Sequence, residues 1–112
     1  LKSAIHITVT VIDDSHVEKC EGRCGLDLSS PETFKSTAAL LGKLFADQAR
    51  LEYLDLAEPS VCCTHSDITE AVHRGDLSLP LLLLDGKVRI SGYFDISALQ
   101  RVIQAEIEIR RG

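Results

Sequence analysis

The stretch "LPLLLLDGKVRIS" (79–91) limits the fold more tightly than any other part of the chain. A fully apolar run meets Asp85-Gly86, and a second strand-like run, "KVRIS", follows at once. Asp-Gly between two such runs is a hairpin signal, because the tight turns that suit twisted strands need positive φ at their central positions. An antiparallel pair is expected here, with Gly92 marking its end.

The upstream half supplies two more strands. "AIHITVTVI" (4–12) alternates apolar and polar residues and is rich in β-branched side chains, and "RLEYLDL" (50–56) reads as a second strand. Between them lie a long polar loop, "DDSHVEKCEGRCGLDLSS", and a helix, "SSPETFKSTAALLGKLFADQ". Ser29 or Ser30 can cap that helix, Pro31 suits its first turn, and Glu32 suits the positive end of its dipole. Phe34, Ala38, Leu41 and Phe45 recur at helical spacing and are expected to face the core. "SDITEAVHRG" predicts a short helix capped by Ser66 or Asp67 and stopped by Gly75. "DISALQRVIQAEI" predicts the last one, capped by Asp95 or Ser97, with Ile96, Leu99, Ile103 and Ile107 on one stripe. The tail "EIEIRR" alternates instead, so this helix is expected to end early.

The order is β-α-β-α-β-β-α. Two βα units make the first two strands parallel through right-handed crossovers, and the hairpin adds two antiparallel strands. The expectation is an α/β chain with a four-stranded mixed sheet, in which 4–12 lies beside both 50–56 and 80–84. This is the arrangement of the thioredoxin fold. With 112 residues, one domain spanning 1–112 is expected, with no room for a second.

Charge and hydropathy narrow the partners. The net charge is −5, and no Lys/Arg cluster appears beyond the terminal "RR", which argues against nucleic acid. No apolar run approaches the ~18–20 residues that span a bilayer, so no membrane partner is expected. No stretch reads as a secretory signal. A chain so rich in Ile, Leu and Val does not need disulfides to build a core, so its four cysteines are read as chemical and its location as cytoplasmic.

Those cysteines come as a spaced pair, Cys20 and Cys24, and an adjacent pair, Cys62 and Cys63. Neighbouring Cα atoms are about 3.8 Å apart, less than the ~4.4–6.8 Å a disulfide prefers. The adjacent pair is therefore redox-labile if it closes at all, or each sulfur serves something else. His16 and His65 lie near the cysteines and are candidate ligands or proton partners, though loop histidines usually have no such role. His6 and His73 belong to a strand and a helix and are assigned none. Lys19 and Arg23 favour thiolate at the first pair, while Glu18 and Glu21 oppose them.

At "LSLPLLLLDGKVRISGYFDISALQRVI" (77–103) the chain resembles the closing half of thioredoxin-fold proteins, in which a proline expected to be cis precedes the third strand. That proline maps to Pro80, which would shape the site. The nearest likeness is to arsenic-resistance metallochaperones, which share the leucine-proline, the apolar run, the aspartate-glycine and the later glycine. "EYLDLAEP" (52–59) fits the same comparison. A second likeness is to small thioredoxin-like disulfide oxidoreductases. The resemblance covers 4–103 as a fold and is specific over 77–93. The arsenic chaperones are expected to carry an adjacent cysteine pair and a third cysteine after the first strand. Here the spaced pair occupies that loop, so only Cys20 and Cys24 carry over by position.

Parallel strands deliver their C-terminal ends to one edge of a sheet, where ligands of open α/β folds bind. Cys20 and Cys24 follow strand one, Cys62 and Cys63 follow strand two, and Pro80 enters an antiparallel strand at that same edge. All four thiols are expected to converge there. The preferred reading is binding of a soft metal or metalloid ion by thiolates that are also redox-active, since thiolates select such ions. The alternative is a thiol–disulfide oxidoreductase using Cys20 and Cys24 on a partner protein. Against it, Cys24 lies several residues before the helix whose dipole would activate it. Third is a [2Fe–2S] cluster on four thiolates, because thioredoxin-like ferredoxins place ligands in these two loops.

Overall fold

The computed structural model describes residues 5–14, 28, 30–92 and 94–111. Its elements are β1 (Ile7–Asp13), α1 (Pro31–Phe45), β2 (Ala49–Asp55), α2 (Pro59–Thr64), α3 (Ser66–His73), β3 (Leu81–Leu84), β4 (Lys87–Ser91) and α4 (Ile96–Arg111). One four-stranded sheet runs in the order β2-β1-β3-β4. β1 pairs in parallel with β2 and antiparallel with β3, and β3 pairs antiparallel with β4. The mixed α/β fold and the central position of β1 match the sequence reading.

The hairpin turn forms as its sequence requires. Asp85 and Gly86 both take positive φ, 49° and 84°, the pattern that Asp-Gly accommodates best. α1 begins at Pro31, with Ser30 as its cap, its hydroxyl accepting from Thr33 N–H. Leu41 and Phe45 are buried with Thr37, while Phe34 and Ala38 are half-buried.

Helices cover both sheet faces. On one face, Val9, Val11, Leu82 and Leu84 pack with Leu41 and Phe45 of α1 and with Leu99, Ile103 and Ile107 of α4. On the other, Ile12, Leu81 and Leu83 form a smaller core with Leu56, flanked by Val61 of α2 and by Ile68 and Val72 of α3. The all-leucine strand β3 follows from this: both its faces are buried.

Three expectations are corrected. The cysteine pair 62–63 lies on a helix rather than in a loop. Ser66 and Asp67 do not cap α3. His65 takes the cap position with no side-chain bond, because α2 runs almost directly into α3 and Ser66 is already helical. α4 does not end early but runs to Arg111. Its last turns are held by a charge network across the sheet edge. Glu106 accepts from Arg89 (2.6 Å) and Arg110 (2.9 Å), and Arg110 also bonds Asp85 and the His6 carbonyl.

Candidate thiol site at the sheet edge

The parallel register sets Asp13 beside Asp55, so β1 and β2 end side by side. Leu81 pairs with Ile12, which brings Pro80 to the same edge. The Leu79–Pro80 bond is cis, as expected, and the Pro80 carbonyl accepts from Gly92 N–H at 2.9 Å.

The chain leaves β2 under tight control. Leu56 N–H bonds the Asp13 carbonyl (2.8 Å), extending the pairing one residue past the strand. The Asp55 carboxylate then accepts from Ala57 N–H (3.0 Å) and the Asp55 carbonyl from Glu58 N–H (3.0 Å). This aspartate-driven turn aims the chain at Pro59, whose fixed φ starts α2. The Glu58 carbonyl accepts from both Val61 and Cys62 N–H groups.

Val61 anchors α2 in the smaller core. Each helical residue turns about 100° from the last, so Cys62 lies on the flank of that buried stripe and Cys63 well away from it. Accordingly Cys62 is half-buried, Cys63 is exposed, and both are free thiols. Helical backbone also points neighbouring Cβ atoms apart, which removes the option of a disulfide between them while α2 is formed.

His65 caps α3 through its backbone, its carbonyl accepting from Thr69 N–H (2.9 Å) and the Thr69 hydroxyl (3.1 Å). His6 stands before β1 with Nδ1 3.3 Å from the Asp47 carbonyl, and His73 is exposed at the end of α3. Cys20, Cys24, His16, Glu18, Lys19, Glu21 and Arg23 lie outside the described residues. Among those described, no three His, Cys, Asp or Glu side chains are grouped to hold a metal ion. A closed ligand set therefore needs donors beyond Cys62 and Cys63.

Two features escaped the sequence reading. Asp55 steers the chain into the cysteine helix, and its signal was the Asp-x-x-x-Pro spacing before the pair. The other is an open groove of ≈ 430 Å³ between α1 and the start of α4, lined by Glu32, Thr33, Ser36, Thr37, Leu40 and Ile96. It contains no thiol. No described helix is long and apolar enough to cross a membrane. The chain matches no known protein-family model and no curated protein sequence.

Proposed function

We propose that this protein binds a soft metal or metalloid ion through thiolates at the edge where β1 and β2 end. The observation that carries the reading is the pair of free, adjacent thiols on α2, one half-buried and one exposed. A helix that keeps neighbouring thiols from closing on each other keeps both available as soft donors. Cys20 and Cys24 complete the set, since the segment that bears them leaves β1 beside the exit of β2. The thioredoxin-like resemblance supports the same reading, with Pro80 shaping the edge. Reduced thiols call for a reducing compartment, which is why we place the protein in the cytoplasm.

A second reading, thiol–disulfide exchange with a partner protein, draws on the exposure of Cys63. Because Cys62 is an unsuitable partner for Cys63 within the helix, exchange would run either through Cys20 and Cys24 as the redox pair or through a disulfide joining α2 to one of them.

Titration of reduced protein with phenylarsine oxide and with Zn²⁺, monitored by calorimetry or chelator competition, tests the first reading. Replacing Cys62 and Cys63 with serine removes two donors. Affinity should then fall by more than the ~10–100-fold that even a supporting-residue change costs a metal site. Equal affinities in wild type and double variant would exclude the adjacent pair from the site. A stable mixed disulfide, with no ion bound, would favour exchange.

A further inference from the structure

The sheet has two outer strands, and they are built differently. β4 carries Lys87 and Arg89 and shifts register against β3 between Leu82 and Leu83. Like charges and an irregular ladder are the usual guards against edge-to-edge pairing. β2 has neither guard. Its seven residues pair with β1 without a shift, contain no proline, and have no strand on their outer side among those described.

The side chains of β2 are also self-complementary in one register. Arg50 and Glu52 are exposed on the same sheet face, where Glu52 accepts from the Thr10 hydroxyl at 2.9 Å. Arg50 forms no ion pair among the described residues. In an antiparallel pairing of two identical strands, only registers that keep like faces together are allowed. Centring on Arg50 sets arginine against arginine, and centring on Glu52 sets glutamate against glutamate. Centring on Tyr53 sets Leu51 against Asp55. Centring on Leu51 sets Arg50 against Glu52 twice, Leu51 against itself, and the small Ala49 against the large Tyr53.

We propose that β2 is a homodimer edge, and that two copies join through antiparallel β2 strands centred on Leu51 into one eight-stranded sheet. The occupant is a second copy because its charges and side-chain sizes are the ones this strand complements. A two-fold pairing is closed, so it yields a dimer and no fibre. The C-terminal ends of the two β2 strands point in opposite directions, so the two α2 helices and their thiols sit far apart at opposite ends of the seam.

Sedimentation of the full chain under reducing conditions, from micromolar to near-millimolar concentration, tests this. Wild type should reach twice the monomer mass with reductant present, which rules out disulfide linkage, as should the Cys62→Ser/Cys63→Ser variant, which rules out any part for the adjacent thiols. Arg50→Glu turns two attractive cross-strand pairs repulsive and should raise the dimer dissociation constant about 10-fold or more. Arg50→Glu combined with Glu52→Arg should restore it, which a folding defect would not allow. Lys87→Glu, on the other edge, should change nothing. A monomer throughout, a dimer indifferent to Arg50→Glu, a failed rescue, or a dimer lost with Lys87→Glu would each overturn the proposal.

Discussion

Asp85 shows how one side chain can serve a turn and a distant helix together. Its backbone takes the positive φ of the hairpin, while its carboxylate accepts from Thr8 N–H (2.8 Å) and pairs with Arg110. The Thr8 bond first, and then Arg110, hold its carboxyl below the usual value of 3.8. Because the folded-state value is the depressed one, the stabilisation is present above pH 3.8 and is lost as pH falls through the folded value. Asp85→Asn keeps an acceptor for Thr8 and suits the turn, but removes the charge. The variant should match wild type at the acidic end and fall behind as pH rises past that window. The gap should stay within about 1 kcal/mol, because Arg110 and Asp85 are 31% and 37% exposed and solvent screens the pair. Urea unfolding as a function of pH reads this directly, and a gap that does not change with pH would assign the effect to the turn alone.

At the scale of elements, the tail of α4 is where local pattern and structure part. "EIEIRR" alternates, and alternation would set Ile107 and Ile109 on one face. In the helix they lie about 200° apart: Ile107 is 1% exposed in the core and Ile109 is 67% exposed. Ile107→Ala should therefore cost about 2–5 kcal/mol, while Ile109→Ala stays within about 0.5 kcal/mol. Equal costs in denaturant unfolding would return the tail to a strand-like face. The strands, the hairpin and the start of α1 were legible because period, turn chemistry and caps agreed locally. The end of α4 was not, because it depends on Arg89 and Asp85, far away in sequence. Arg89 and Ile90 are neighbours, yet Arg89 reaches Glu106 of α4 and Ile90 packs in the same core, a departure from alternation beside the register shift. No local pattern shows that. α2 was missed for a different reason. Six residues with β-branched Val61 and two cysteines make a weak helix on propensity alone, and its formation rests on Pro59, the Asp55 turn and the burial of Val61.

At the scale of the whole molecule, the described residues form one sheet with two unequal cores, and the thiol helix belongs to the smaller. The topology that brings the ends of β1 and β2 together was legible in the order of elements, so the location of the adjacent cysteines at that edge was too. Their helical setting was not, since it is fixed by tertiary burial. The larger core ties α1 and α4 to β1 and β3 through fully buried residues such as Val9, Leu82, Leu99 and Ile103. The smaller has Ile12, Leu56, Leu81 and Leu83 buried, with α2 and α3 contributing only partly buried apolar side chains. Fewer buried contacts mean a lower free energy of local opening. In native-state hydrogen exchange, amides of α2 and α3 should therefore exchange through an opening that leaves β1, β3 and α4 protected. If Cys62 and Cys63 hold an ion together with donors from the β1 side, phenylarsine oxide should slow exchange in α2 and leave α4 unchanged, because only α2 gains a cross-link. Protection of α2 equal to that of β3 in the free protein would mean that the two cores open as one unit. Slowing confined to α4, or absent altogether, would detach the adjacent cysteines from ion binding.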